Sequence, residues 1–298
     1  RVGLGAMRPV SRTGRHLGQE VVDSFRSGIL EDLKNDRLVL PSLPDVALKI
    51  RQELERPEAS AATIAKTLAM DPAVSAQVLR VANSALYLGR SPVADLQTAV
   101  VRLGANVVHQ VVMMLAVSQL LDAKTRPALD SHLEPLWRHS VHVATLCDVI
   151  ARKIRTVDRN VAMLAGLIHD IGTLPILVWA EPIPGVMGDE RTLADIIEAL
   201  HCELGRQMLE HWNYPAALIA VLGGHEDVAR SVGGPADLVD IVQVANHLAW
   251  TGTDSPKANV DWTRLPAAER LGLTEEDGPA LLEAAEPARK ELSAALGR

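Results

Sequence analysis

The stretch AGLIHDIGTL, residues 165–174, sets His169 and Asp170 side by side in an otherwise apolar run. A carboxylate buried beside an imidazole is costly unless each finds a partner. Three more histidines stand in comparable positions. His139 lies four residues before Val143 on the seam Val143, Leu146, Ile150, Ile154 and shares that helical face. His201 follows Ile197 by four, where Ile197, Leu200 and Leu204 face inward, and His225 ends the apolar stretch ALIAVLGG. Asn246 stands four beyond Val242 on the seam Leu238, Val242, Ala245, Ala249. Imidazoles and a carboxylate together bind transition metals, and helix bundles build such centres from facing side chains. Such an ion would activate water against a phosphoryl group, with a neighbouring ion clamping the oxygens. The plainer reading is a set of core histidines satisfied by hydrogen bonds, with no ion. Spacing alone leaves both open.

The elements that must position these groups read as helices throughout. Apolar residues make up 48% of the 298-residue chain and aromatics only 3%, so Leu, Val, Ile and Ala build the core. That alphabet favours packed helices over sheets, and no run alternates as a strand would. Amphipathic or apolar patterns predict helices over 20–34, from 40–46 to about 55, after Ser60, after Asp71-Pro72, within 91–104 and over 106–121. Residues 122–135 are polar with two prolines and read as a subdomain boundary. Further helices are predicted at about 136–155, 160–171, 192–212, 215–224 and 236–250, with Thr192 and Asp195 resembling a capping box. Residues 251–262 read as a loop, and 263–298 as two or three short, Ala-rich helices. The domain plan is an N-terminal segment 1–19, a domain over 20–250 divided into 20–125 and 136–250, and a helical tail 251–298.

Charge and cysteine content narrow the function classes. The formal charge is −7 and no Lys/Arg-rich stretch would track a phosphate backbone, which argues against nucleic acid. No apolar run reaches about 18 residues, so no membrane span is expected. Only Cys147 and Cys202 occur, both in helical patterns, so a reducing cytoplasm is the expected location. The chain starts at Arg1 rather than Met, as an excised piece would, with room for a sensor or receiver domain upstream.

Taken in order, His139, the His169-Asp170 pair in GLIHDIG, His201 and His225 resemble the HD phosphohydrolase superfamily. LPSLPDVALKI, MDPAVSAQVLRVANSALY, AVVRLG, LWRHSVHVA, AGLIHDIGTL and EHWNYP are similar to one regulatory branch of it, the HDOD (HD-related output) domain, over residues 20–250. The resemblance implies an all-α, multi-helix bundle in two packed helical subdomains. It also implies a bacterial signal-transduction protein that acts by protein–protein interaction without catalysis. HDOD domains accompany receiver, diguanylate-cyclase or kinase modules, so a partner of that type is expected.

Departures from the active relatives point the same way. Active HD enzymes close their site with an Asp where Asn246 stands, and an amide is a neutral, weak ligand. The phosphodiesterases that cleave cyclic di-GMP carry a paired His-His before Glu where this chain has Gly224-His225-Glu226. They carry Lys where it has Thr173, and Gly-Tyr-Pro where it has Gly233-Gly234-Pro235. What remains is a degenerate candidate site for one divalent metal (Fe, Mn or Zn) through His139, His169, Asp170 and His201 or His225, or a vacant one. The alternative function is a metal-dependent phosphohydrolase resembling a cyclic-dinucleotide phosphodiesterase, with those five residues as ligands.

Two other stretches carry readings. Residues 62–83 have a helix-turn-helix outline, which makes a DNA-binding regulator the third possibility, with Gln77, Arg80 and Asn83 as its donors. In ANSALY, Asn83 suits a left-handed helix terminus. Asn83 and Tyr87 are expected to fix the interface between the two helical halves, or to contact a partner. Cys147 and Cys202 read as small core residues.

Overall fold

The computed structural model describes residues 16–35, 41, 43–87 and 91–297. Most of the expected N-terminal segment 1–19, and Leu40 and Ser42 of the first proline break, lie outside the described residues. All regular structure among the described residues is helical. The first six helices are α1 (His16–Lys34), α2 (Asp45–Leu54), α3 (Ala61–Leu68), α4 (Pro72–Ala82), α5 (Leu96–Leu103) and α6 (Ala105–Leu120). Then come α7 (Asp130–Ile154), α8 (Arg159–Ile168), α9 (Thr173–Ala180), α10 (Pro184–Met187), α11 (Glu190–His211) and α12 (Ala216–Gly224). The chain closes with α13 (Leu238–Ala249), α14 (Pro266–Leu271) and α15 (Asp277–Ala295).

Short polar side chains start many of these helices by accepting otherwise orphaned amides. Ser60 and Thr63 form a capping box at α3, and Asp71, Asp95, Asp158 and Asp237 cap α4, α5, α8 and α13. Gly104, at φ +82°, ends α5 and opens α6, a backbone region that favours glycine. Helix α6 is buried on most sides.

Several local expectations are corrected. Helix α7 begins at Asp130, inside the stretch read as a boundary, and runs through Pro135. Pro135 sits in the second turn of this 25-residue helix, where the cost is one missing amide bond. Helix α8 stops at Ile168, so His169 and Asp170 occupy a tight turn and not a helix interior. Helix α9 lies outside the expected set, and Pro175 fits within its first turn. Helix α11 is capped by Asp189, whose carboxylate accepts from the amides of Arg191 and Thr192; Thr192 is its third residue and not its cap. Ile196 rather than Ile197 is the fully buried residue there. Asn83 ends α4 at φ −101°, not in the left-handed region. The tail holds one short helix and one of 19 residues, α15, which packs along α7. The stretch Arg159–Ala180 does have the length and apolarity of a membrane span. It is broken into α8 and α9, and 83% of its most apolar window is buried inside the fold.

Helix α7 is the spine, with α8, α13 and α15 against it. The N-terminal helices are tied to this half by side chains. Phe25 meets Trp179 edge-on at 4.4 Å between centroids, and Trp179 Nε1 donates to Asp32 Oδ2 at 2.8 Å. Tyr87 Oη donates to Asn160 Oδ1 of α8 at 2.6 Å, and the Arg159 guanidinium lies 5.8 Å from the Tyr87 ring. Asn83 Nδ2 donates to the carbonyls of Leu79 and Val93, and its Oδ1 accepts from the Val93 amide, which pins the segment leading to Tyr87. Two of the three donors of the DNA reading are engaged within the chain: Arg80 donates to the carbonyl of Ala294 and Asn83 clamps Val93, while Gln77 lies against Gly297.

Glycines set the closest approaches. A Cβ on Gly166 would lie 2.7 Å from the Ala144 Cα, so α8 sits directly on the backbone of α7. Gly172 ends the His169–Asp170 turn, and a Cβ there would overlap the His201 carbonyl oxygen and the Gly205 amide nitrogen of α11. Backbone on both sides cannot yield, and overpacking of a core costs about 1–3 kcal/mol or more. Gly172→Ala is therefore expected to lower unfolding free energy in urea titration by at least about 3 kcal/mol. A cost below about 1 kcal/mol would mean that the turn and α11 are not in this contact.

Candidate metal centre

Five elements deliver the centre. Helix α7 supplies His139, the turn after α8 supplies His169 and Asp170, α11 supplies His201, the end of α12 supplies His225, and α13 supplies Asn246. The structure brings all six together around the Asp170 carboxylate. Asp170 Oδ1 is 3.2 Å from His225 Nε2 and 3.5 Å from His201 Nε2. Its Oδ2 is 3.2 Å from His169 Nε2 and 3.8 Å from His139 Nε2. One carboxylate thus faces two pairs of imidazoles, one pair per oxygen.

Backbone carbonyls orient three of the rings. His169 Nδ1 donates to Gly166 at 2.7 Å, His201 Nδ1 to Ile197 at 2.7 Å and His225 Nδ1 to Val221 at 3.1 Å. With the proton fixed on Nδ1, each Nε2 presents a lone pair to the centre, the arrangement that orients metal-ligating histidines. His201 Nε2 and His225 Nε2 then face each other at 3.3 Å. Two lone pairs repel at that distance unless a cation or proton lies between them. Two imidazoles on one tetrahedral ion, at about 2.1 Å each, are about 3.4 Å apart. His169 Nε2 is fully buried and has no aligned hydrogen-bond partner among the described residues. The residues present therefore fit a divalent metal.

His139 differs. Its Nε2 meets Asn246 Oδ1 at 3.0 Å, while Asn246 Nδ2 donates to Glu226 Oε1 at 3.3 Å. The amide oxygen can only accept, so His139 carries its proton on Nε2 and donates it. The ring stacks on Trp250 with centroids 4.3 Å apart. Burial, reinforced by the nearby His169, pushes the His139 pKa down to about 3. Burial opposes ionisation of Asp170, but the imidazoles around it, His169 first, hold its carboxyl well below the usual range. Burial also lowers His169, and the Asp170 charge more than reverses this, leaving it above the ordinary histidine value.

Five neighbours were not assigned to the centre from the sequence. Glu226 is 3.8 Å from His225 Nε2 and pairs with Lys257, and both are partly exposed, marking the open side. Cys202 Sγ lies 3.4 Å from His201 Nε2, and burial pushes its pKa up to about 12. Trp250 walls His139. The ligand-sized groupings are His139/His169/Asp170, Asp170/His201/His225/Glu226 and His201/Cys202/His225. Gln243 Nε2 donates to the carbonyls of Gly224 and Asp227, which fixes the bend carrying His225 and Glu226. Glu226 follows His225 directly, which is a hint; Lys257 lies in a polar loop with no periodicity to reveal it.

Two outcomes follow for the centre itself. Protein purified without chelator is expected to carry Fe, Mn or Zn by mass spectrometry, and His169→Ala to lose most of it; equal content in both would place the metal elsewhere. In chelator-treated protein, His139 is neutral when folded down to about pH 3. The unfolded chain protonates that side chain from about pH 6.5, so it binds more protons than the folded state between the two values. Stability is therefore expected to fall as pH drops through that window, by up to about 1.4 kcal/mol per unit. His139→Asn should flatten the slope in urea titrations; an unchanged slope would show that His139 does not cause it.

Comparison with known proteins follows the same lines. A crystal structure of a provisionally named metal-dependent phosphohydrolase from Shewanella amazonensis SB2B superimposes with TM-score 0.79 and 24% identity, over 93% of this chain and 99% of that one. An HDOD domain protein with unknown function from Geobacter sulfurreducens gives TM-score 0.62 and 23% identity, over 94% and 97%. A provisionally named signal transduction protein from Marinobacter aquaeolei VT8 gives 0.65 and 21%, over 97% and 67%. At these identities the likeness establishes the fold. A curated but uncharacterized Treponema pallidum protein is 20% identical over 220 residues, 70% of this chain, and the chain spans 41% of that relative's length. The HDOD domain family itself matches residues 40–228, nearly two thirds of the chain. With the helical fold and the His169-Asp170 centre in place, that match makes the chain a member of the HDOD family.

Proposed function

We propose that this protein is a regulatory, signal-transducing HDOD protein that acts by binding a protein partner, with its HD-type centre holding a metal as part of the core. The carrying observation is the His139–Asn246 contact, in which the ring donates Nε2–H to an amide and turns no lone pair toward the ion. An acidic residue at 246 would have added a negative charge for a dication, and the amide adds none. The fourth imidazole and the closing position are thereby spent on each other. A receiver, diguanylate-cyclase or kinase-type protein in the cytoplasm is the partner class that suits this reading. The signal-transduction designation of the Marinobacter structure is in keeping with it.

The second reading is a metal-dependent phosphohydrolase on a phosphodiester such as a cyclic dinucleotide. It is favoured by the grouping of Asp170, His201, His225 and Glu226 on the open side of the centre. There Asp170, His201 and His225 would hold the ion, which would supply Lewis acidity toward a phosphoryl oxygen.

The separating experiment loads the protein with Mn, Fe or Zn and assays bis-p-nitrophenyl phosphate and cyclic di-GMP. The expected result is turnover no greater than that of the Asp170→Ala variant. Metal-dependent turnover that Asp170→Ala abolishes would overturn the regulatory reading.

A further inference from the structure

The open side of the centre is closed by a charge of the protein's own. Lys257 lies on a short turn, Pro256–Asn259, between α13 and α14. Its Nζ donates to Glu226 Oε1, and the two side chains are 38% and 27% exposed. The same carboxylate oxygen accepts from Asn246 Nδ2 at 3.3 Å and lies 3.8 Å from His225 Nε2. Two oxygen or nitrogen ligands of one ion, each at about 2.1 Å, are at most about 4.2 Å apart. Glu226 Oε1 and His225 Nε2 meet that limit as they stand. The ligand atoms of Asp170, His201, His225 and Glu226 all lie within 4.8 Å of one another.

We propose that Glu226 is a further ligand of the metal centre and that Lys257 holds it in reserve, the ammonium and the divalent ion competing for one carboxylate oxygen. This rests on the reading of the centre as metal-holding. With Lys257 in place, the ion is met by His201, His225 and Asp170. With Lys257 withdrawn, it gains a hard oxygen ligand and one positive charge leaves its surroundings. Carboxylate oxygen suits Mn better than Zn, so release of Glu226 also moves metal preference toward Mn.

The test is chelator competition for Zn(II) and for Mn(II), on the wild type, Lys257→Met, Glu226→Gln and the double variant. Far-UV circular dichroism and melting confirm each fold, and Lys257→Gln replaces Lys257→Met if that variant unfolds. Removing Lys257 is expected to tighten binding about tenfold, more for Mn than for Zn, and in the Glu226→Gln background the gain is expected to shrink to about twofold and lose its preference for Mn. A gain of undiminished size in the double variant, relative to Glu226→Gln alone, would show relief of repulsion only and overturn the ligand assignment. Unchanged or weaker binding on removing Lys257 would overturn the competition. Absence of metal binding in every folded variant would remove the metal reading itself and this inference with it, an outcome distinct from the other two.

Discussion

A half-buried carboxylate surrounded by imidazole nitrogens is the constraint around which the rest of the fold is arranged. Asp170 keeps its charge only where a cation stands among the rings, either an ion held by the Nε2 lone pairs or a proton on His169, whose affinity for it the carboxylate raises. That requires three other backbone segments, α7, α11 and the end of α12, to arrive within 3.8 Å of one side chain. The long α7, the Gly166 and Gly172 contacts and the Gln243 clamp are the means of arrival. Three carbonyls one helical turn back, at Gly166, Ile197 and Val221, then decide which ring nitrogen faces inward. The tautomers are thus set by helix geometry before any ion is considered.

Much of this was legible because helical periodicity converts spacing into direction. The intervals from His139 to Val143, Ile197 to His201 and Val242 to Asn246 each place a polar residue on an apolar face, and each of the three does reach the centre. Caps such as Ser60 and Asp71 were readable because a short polar side chain before an apolar repeat has few other uses. Asp189 and Thr192 show the limit: both are capping types, and only the backbone shows whose amides lack partners. The break between α8 and α9 was hidden because His169 and Asp170 interrupt a run otherwise apolar enough to read as one helix. Glu226, Lys257 and Trp250 were illegible for a different reason. They enter the site from a bend, a loop and a helix end, where spacing along the chain says nothing about direction.

The two halves of the chain differ in how they use polarity. In the first, polar side chains close helices and pin loops, as Asn83 does for Val93. In the second, they are gathered inward. The Asp148 carboxylate, fully buried, takes Arg152 and Arg159 at 2.6 Å each, and Asp240, also fully buried, takes Arg230 and Arg270. Each carboxylate is balanced within the protein by two arginines, and losing both would strand a buried charge. The centre at Asp170 is built from groups that titrate or ligate, which is why it alone among these clusters suits an exchangeable cation.

The missing Cβ of Gly172 has a mechanical meaning. With the turn's backbone seated against the carbonyl of His201 and the amide of Gly205, there is no clearance in which α11 could slide past it. Helix α11 also carries Glu203, paired at 2.7 Å with Arg26 of α1. The turn that carries Asp170 and the stretch of α11 that carries His201 are thus joined backbone to backbone, with α1 packed on the same helix.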